Sequence, residues 1–230
     1  MTEKKVKVCG CIAVPRLGWT DAWGSIVDAF TVRQIPLRRF TTCYWEQGIS
    51  NVLEMLIADG VDWAICLDYD TLFMPTDLDL LLKTFAVRDD IHALAALQCK
   101  RYAETPLLTM IGGKSEPGNT YDVEVPADEP FRVFTAHFGL TIIDLNHLRE
   151  VPKPWFWSQP DHNKSWRGDD HVDADIYFWR KWGEAGKTVY VHPGVRVGHL
   201  EVVTSMFNSD LSVERVPVHE FFTRRFQEVK

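Results

Sequence analysis

The run "WAICL", residues 63–67, contains no polar position. A strand that is apolar on both of its sides must be covered on both faces, which places it inside a layered sheet. Its neighbours agree. "VKVCGCIAVP" mixes small and β-branched residues and stops at Pro15, as a first strand feeding a loop would. "TDAWGSIVDAF" has helical spacing with Thr20 or Asp21 as cap, and "TVRQIPLRRF" reads as a second strand that Pro36 pushes to a sheet edge. "EQGISNVLEMLIADG" carries a helical stripe at Ile49, Val52, Leu53, Leu56 and Ile57 that ends at Gly60. Beyond the apolar run come a helix opened by Pro75 and Thr76 in "PTDLDLLLKTF" and a strand in "DIHALAALQC". Strands alternating with helices predict an α/β fold, a Rossmann-type α/β/α sandwich with a mainly parallel central sheet.

That alternation fades after Lys100. Residues 101–130 are rich in Gly, Pro and charge and read as loop and hairpin. "FRVFTAHFGLTIIDL" restores one long strand-like segment, followed by a short helix in "NHLREV". "PKPWFWSQPDHNKSWRGDDH", with three prolines, reads as a surface loop. "DADIYFWRKWGEAG" is a helix stopped at Gly186, with Trp179 and Trp182 as packing residues, and "KTVYVHPGVRVGHLEVV" supplies the last strands. The end, "VPVHEFFTRRFQEVK", reads as an amphipathic helix with Phe221, Phe222 and Phe226 that caps the domain or meets a second copy in a homodimer. No repeat or long linker divides the chain, so one domain is expected over 1–230, with a ligand-binding half at 1–100 and a second half at 101–230.

A net charge of -7 gives no general basic footprint, which weighs against a nucleic-acid binder relying on phosphate neutralisation and leaves only a local basic groove open. No stretch approaches the roughly 20 apolar residues of a membrane span. The start, "MTEKKVKVCG", passes straight into a strand pattern and not a signal-peptide core, so a cytoplasmic protein is expected. Cys9, Cys11, Cys43, Cys66 and Cys99 are odd in number and scattered, which suits reduced core thiols. Cys9 and Cys11 share a strand face, but no second pair or flanking histidine completes a zinc site.

Asp68 and Asp70 stand at the end of the apolar run. Ligands of open α/β sheets gather beyond the carboxyl ends of strands, and alternation sends both side chains to one side. Two close carboxylates repel, and a divalent cation removes that penalty. Mn²⁺ or Mg²⁺ takes carboxylate oxygen and keeps positions for phosphate oxygens, which makes a nucleotide diphosphate the natural third party. Solvated or turn-capping aspartates fit the same spacing, so spacing alone leaves both readings open. The haloacid-dehalogenase phosphatases use D-x-D-x-T near the first strand, but here the threonine is Thr71, Leu72 takes its expected place, and the pair lies late in the chain.

Over most of its length the order of segments resembles the nucleotide-sugar glycosyltransferases of the GT-A fold. "VCGCIAVPRLG" is similar to their first strand and nucleotide loop, and "EQGISNVLEMLIADGVDWAICLDYDTLF" to their helix and DxD strand. "AHFGLTIIDLNHLREV" is similar to the segment beneath the acceptor. "DADIYFWRKWGEAG" resembles the E-D-x-x-F-x-x-R-x-x-x-x-G segment of inverting, family-2-like members, with Asp175, Phe178 and Gly186 in matching places; Ala174 and Lys181 depart from it.

The resemblance implies a metal-dependent transfer of a sugar from a nucleotide-diphosphate donor, a UDP-sugar first, to an acceptor hydroxyl, with residues 1–100 as nucleotide-binding half and 101–230 as acceptor-binding half; inversion is the preferred course, and the aspartates clustered in "GDDHVDAD" leave retention open. It implies a metal set of Asp68, Asp70 and His199, with Asp70 and His199 binding Mn²⁺ or Mg²⁺ directly and Asp68 contacting ribose or a metal-bound water. Asp175 would be the general base, with Asp173 or Asp170 as substitutes. Pro15 and Arg16 would border the base of the donor, Tyr69 would join Asp68 and Asp70 in binding the donor, and Lys100 and Arg101 would hold phosphate or sugar. Trp157 and Trp166, with Asp170, would form an acceptor wall or lid. The acceptor stays open among a small molecule, a glycan, a protein and a modified nucleic-acid base. A catalytically inactive nucleotide-sugar binder and a nucleotidyltransferase are the alternatives.

Overall fold

A computed structural model describes residues 5–103, 105–111, 125–126, 129–167, 170–208, 210–218 and 220–221. The elements are β1 Val8–Val14, α1 Thr20–Arg33, β2 Leu37–Thr41, α2 Trp45–Ala58, β3 Trp63–Leu67, β4 Thr71–Leu72, α3 Pro75–Ala86 and β5 Ala93–Gln98. They continue with β6 Thr109–Met110, β7 Phe131–Thr135, β8 Leu140–Asp144, α4 Leu145–Leu148, α5 Ala174–Glu184, β9 Val189–His199, β10 Val203–Phe207 and β11 Val213–Pro217. A nine-stranded sheet runs β2-β1-β3-β8-β5-β9-β7-β6, with β4 paired to β9, and β10-β11 form a separate hairpin.

Strands β1, β2, β3, β5 and β9 point one way, as their parallel pairings and the antiparallel strand β8 between β3 and β5 require. The expected layered α/β sandwich is what forms. Its two cores follow the period-two alternation of the strands. Cys9, Cys11, Ala13, Ala64, Cys66, Ala93 and Ala95 pack against α2 and α5 on one face. Ile12, Val14, Ile65, Leu67, Leu94 and Ala96 pack against α1 and α3 on the other. The parity has a consequence for chemistry: continued past Leu67, it sends Asp68 to the α2–α5 side.

Several segments depart from the sequence expectation. Trp19 is the N-cap of α1, so Thr20 and Asp21 lie inside the helix and neither caps it. Residues 31–33 of the expected second strand finish that helix, which ends at Gln34 in the left-handed region, and β2 does lie at the sheet edge. "FRVFTAHFGLTIIDL" is two strands, β7 and β8, which pair with different partners. Alternation alone could not see that the chain crosses β5 and β9 at residues 136–139. In the expected surface loop, Trp155 and Phe156 are buried, and Trp155 Nε1 donates to the Val151 carbonyl. Cys9, Cys11 and Cys66 are buried free thiols, whereas Cys43 and Cys99 are exposed. Most of the expected 101–130 hairpin, and Phe222 and Phe226, lie outside the described residues. Trp179 and Trp182 are fully buried, as expected of packing residues.

No helix among the described residues is long and apolar enough to cross a membrane. An aromatic cluster ties α2 to the second half: Phe138 stacks on Trp179, Phe156 on Phe178, and Trp45 meets both Phe138 and Phe156 edge-on. Each such contact adds about 0.5–1.5 kcal/mol beyond burial. Gly139, where the chain enters β8, sits in a tight place. A Cβ there would lie 2.5 Å from Thr71 Oγ1 and 2.8 Å from Gln98 Oε1, the pair joined by a 3.0 Å hydrogen bond from Gln98 Nε2 to Thr71. Gly139→Ala is expected to cost about 1–3 kcal/mol in thermal unfolding through this overpacking; an unchanged melting temperature would contradict it.

Candidate active site

The C-terminal ends of β3, β5 and β9 face one edge of the sheet, and short β4 draws them together. Thr71 pairs opposite His199, and the Leu200 N–H donates to the Asp70 carbonyl at 2.8 Å. Asp70 Oδ2 thereby lies 3.5 Å from His199 Nε2. Arg101, just past β5, reaches both groups: Nη2 donates to Asp70 Oδ2, and Nε donates to His199 Nε2 at 2.9 Å.

His199 Nδ1 lies 3.0 Å from the Cys99 carbonyl oxygen. A carbonyl only accepts, so Nδ1 carries the proton and the neutral ring presents its Nε2 lone pair to Arg101. Burial pushes the Asp70 carboxyl up, but the hydrogen bond it accepts when His199 is protonated and the Arg101 charge outweigh burial and hold it below the usual carboxylate range. The hydrogen bond with Asp70 raises His199 in turn, against burial. A proton on Nε2 would donate to Asp70, so a proton and Arg101 compete for one lone pair.

Asp68 has a different environment. Burial first and the neighbouring Asp70 charge second push its carboxyl up to about 7, while a hydrogen bond from the Trp45 side chain pulls the other way and Asp175 adds a further upward push. Asp175, in the first turn of α5, is also raised, chiefly by burial, and accepts a 2.8 Å bond from the Ile176 N–H. Asp173 is the N-cap of that helix and is exposed, 3.5 Å from His171.

These groups share a cleft of about 380 Å³ lined by acids from Glu46, Asp68, Asp70, Asp173 and Asp175, by Arg101, and by apolar Trp45, Leu107 and Phe138. Five acidic side chains against one basic one give this volume an affinity for cations. Pocket sizes of roughly 300–1,000 Å³ suit small-molecule ligands.

Of the residues singled out in the sequence, Asp68, Tyr69, Asp70, Arg101, Asp173 and Asp175 line the cleft. His199 adjoins it through Asp70. Half-buried Pro15 and exposed Arg16 follow β1 and do not line it, nor does exposed Lys100. Trp157 and Trp166 are exposed, at 55% and 58%, outside the lining, although Ser158 beside Trp157 belongs to it. Asp170 is paired at the surface with His162 Nδ1 at 2.7 Å, apart from the cleft; Asp169 lies outside the described residues.

Sequence reasoning missed Trp45, Glu46, Leu107, His137, Phe138 and Ser158. Trp45 and Glu46 had a signal, since they open the helix whose stripe was legible. His137 is a brace: burial pushes it down to about 4, its neutral Nε2–H donates to the Ala96 carbonyl at 2.8 Å, and Nδ1 accepts from the Gly139 N–H.

The donor set bears on a divalent cation. Two ligand bonds of about 2.1 Å can span the 3.5 Å between Asp70 Oδ2 and His199 Nε2. The Cys99 carbonyl supplies the outer bond that fixes a ligating imidazole. Among the described residues, however, no three His, Cys, Asp or Glu side chains converge as a metal-binding group. Asp68 does not complete such a group, although its carboxyl feels Asp70, Trp45, Asp175 and His199. The residues fit a cation held by two protein ligands, with the remaining positions left to water or ligand oxygen.

No family model matches the chain, and no curated protein matches it by sequence. Among solved structures, A197 from STIV is similar at 12% identity and a TM-score of 0.59, covering 89% of this chain and 92% of that one. The mannosyltransferase PcManGT from Pyrobaculum calidifontis, in complex with GDP-Man and Mn²⁺, aligns at 11% identity and a TM-score of 0.49 over 86% of this chain and 57% of its own. A mycobacterial protein aligns at 9% and 0.42, over 91% and 84%. At these identities the likeness to A197 speaks for the fold alone, and the two lower scores support no conclusion about this chain.

The raised Asp68 carboxyl makes a pH prediction. The native state keeps this proton up to about pH 7, whereas an unperturbed carboxyl loses it near 3.8. Stability therefore falls as pH rises through that interval, and the whole penalty, at most about 4 kcal/mol, is present above it. With chelator present, Asp68→Asn should raise the melting temperature at about pH 8 by roughly 5 °C, and the gain should shrink as pH falls towards 4. Absence of any gain at the higher pH would contradict this electrostatic picture.

Proposed function

We propose that the protein transfers a sugar from a nucleotide-diphosphate donor to an acceptor hydroxyl, using Mn²⁺ or Mg²⁺ held by Asp70 and His199. The observation that carries this reading is the meeting of Asp70, His199 and Arg101 at a cleft that also contains two carboxyls of raised basicity, Asp68 and Asp175. A cleft with five acids repels a pyrophosphate unless a cation is present. The order of segments in the sequence, which resembles the GT-A glycosyltransferases, supplies the reaction class.

When bound, the cation would neutralise charge on the departing diphosphate. The other tasks fall to the chain. Asp68 is placed to accept a hydrogen bond from a donor hydroxyl or a water. Asp175, more basic than a solvated carboxylate, takes the acceptor proton as the hydroxyl attacks the anomeric carbon from the side opposite the leaving group. A single displacement of that kind inverts the centre. Trp45, Leu107 and Phe138 supply the apolar part of the cleft wall. Asp175 suits the base role better than Asp173, which is exposed and stands at the cap.

A second reading, a binder of nucleotide-sugars without turnover, is favoured by one feature: Ala174 lines the cleft where the resembling segment carries glutamate. Titration calorimetry with UDP- and GDP-sugars, with Mn²⁺ and with chelator, tests the donor, the UDP series being the expected one. Asp70→Asn should weaken metal-dependent donor binding by on the order of 100-fold. Asp175→Asn should leave donor affinity within a few-fold while lowering turnover by about 10²–10⁴. Donor binding with no turnover in the wild type would support the second reading; donor binding that ignores both metal and Asp70→Asn would overturn the first.

A further inference from the structure

The Arg101 guanidinium engages the same two atoms that would ligate a cation. Its Nη2 is on Asp70 Oδ2, and its Nε is 2.9 Å from His199 Nε2. The carboxylate is buried, with 3% of its side chain exposed, while the Arg101 side chain is 47% exposed. The acid is therefore the fixed partner and the arginine the one with room to move.

The backbone under Arg101 is held on both sides. The Lys100 N–H donates to the Thr105 carbonyl at 2.9 Å, the Tyr102 N–H donates to Glu201 Oε1 at 2.6 Å, and the Tyr102 hydroxyl reaches the Val202 carbonyl at 3.3 Å. Tyr102 keeps a left-handed φ of 53°, a conformation uncommon for a residue with a side chain and one that its anchors hold in place. A change at Arg101 is thus a swing of its side chain about a fixed Cα, which leaves the guanidinium over the cleft that it already lines.

Resting on the reading of Asp70 and His199 as cation ligands, we propose that Arg101 is an internal counter-ion that a divalent cation must displace and that then engages the phosphate oxygens of the donor. Two positive groups cannot share one carboxylate oxygen and one imidazole lone pair at bonding distance, so cation and guanidinium exclude each other there. The displaced guanidinium loses two partners, and diphosphate oxygens offer it the planar, two-pronged acceptor that it prefers. Cation alone binds weakly because it must undo the Arg101 contacts. Cation with a nucleotide diphosphate binds more tightly, because the nucleotide takes over the freed arginine. The two ligands therefore bind cooperatively, with Arg101 as the coupling element and a role in positioning.

The test uses binding alone. Mn²⁺ affinity is measured by electron paramagnetic resonance of free Mn²⁺ on the full chain, with and without UDP and, separately, GDP, for the wild type, Arg101→Gln, Arg101→Lys and Asp70→Asn, with circular dichroism as the check on folding. Arg101→Gln should bind Mn²⁺ alone about tenfold more tightly than the wild type, and the tightening of Mn²⁺ binding by nucleotide should shrink towards none. Arg101→Lys, which keeps the charge but not the fork, should fall between. Mn²⁺ affinity that is unchanged or lower in Arg101→Gln, with Asp70→Asn still abolishing binding, would overturn the latch and leave the metal site standing. No Mn²⁺ binding by any variant, with or without nucleotide, would overturn the latch and the metal reading together.

Discussion

Everything at the candidate site depends on a buried carboxylate that needs a positive neighbour. Asp70 is carried into the protein by backbone pairing, through the Thr71–His199 bridge and the Leu200 N–H on its carbonyl, and cannot retreat to solvent. An unpaired charge in that position would cost several kcal/mol. The Arg101 guanidinium removes that cost and also donates to the neutral His199 ring beside it; the two residues come from the ends of two other strands that point the same way as the one before Asp70. The sheet thus assembles one electrostatic unit from three distant parts of the sequence.

The second carboxylate of the pair plays a different part. Asp68 shares its parity with Cys66 and Ala64, so it turns to the face covered by α2 and α5, where Trp45 and Asp175 lie. Asp70, two residues on, is captured by β9. The two carboxyls leave the strand together and end in different environments, one held below the ordinary range and one lifted to about 7. Division of labour between neighbouring carboxyls by environment is a general route to acid and base chemistry near neutral pH. Under the proposed reading it would separate cation binding from hydrogen bonding, with Asp175, also raised, on the far helix as the candidate base.

Much of the first hundred residues was legible because β1, β3 and β5 are apolar runs separated by segments of helical spacing, whereas the cap of α1 and the start of the polar edge strand β2 were not. The run of residues 63–67 needed cover on both faces and has it. The second half was harder to read. β7 and β8 form one continuous strand-like string in sequence, and only long-range pairing reveals that they separate around β5 and β9. At the site, the acidic pair, Arg101, Asp173 and Asp175 stood out by residue type. Phe138, Leu107 and His137 did not, because an aromatic, a leucine and a buried histidine look alike in sequence whether they floor a cleft or fill a core. The expected base-binding pair Pro15 and Arg16, and the tryptophans 157 and 166, lie outside the cleft lining. A chemical type shows what a residue can do, and only the fold shows what it can reach.

Anomalous diffraction at the manganese edge, from a crystal grown with Mn²⁺ and UDP, addresses the central claim most directly. The account predicts one strong peak within about 2.3 Å of both Asp70 Oδ2 and His199 Nε2, with the diphosphate on its open side and the Arg101 side chain moved from its present partners. Nucleotide bound with the Asp70–Arg101–His199 contacts intact and no manganese between them would contradict it.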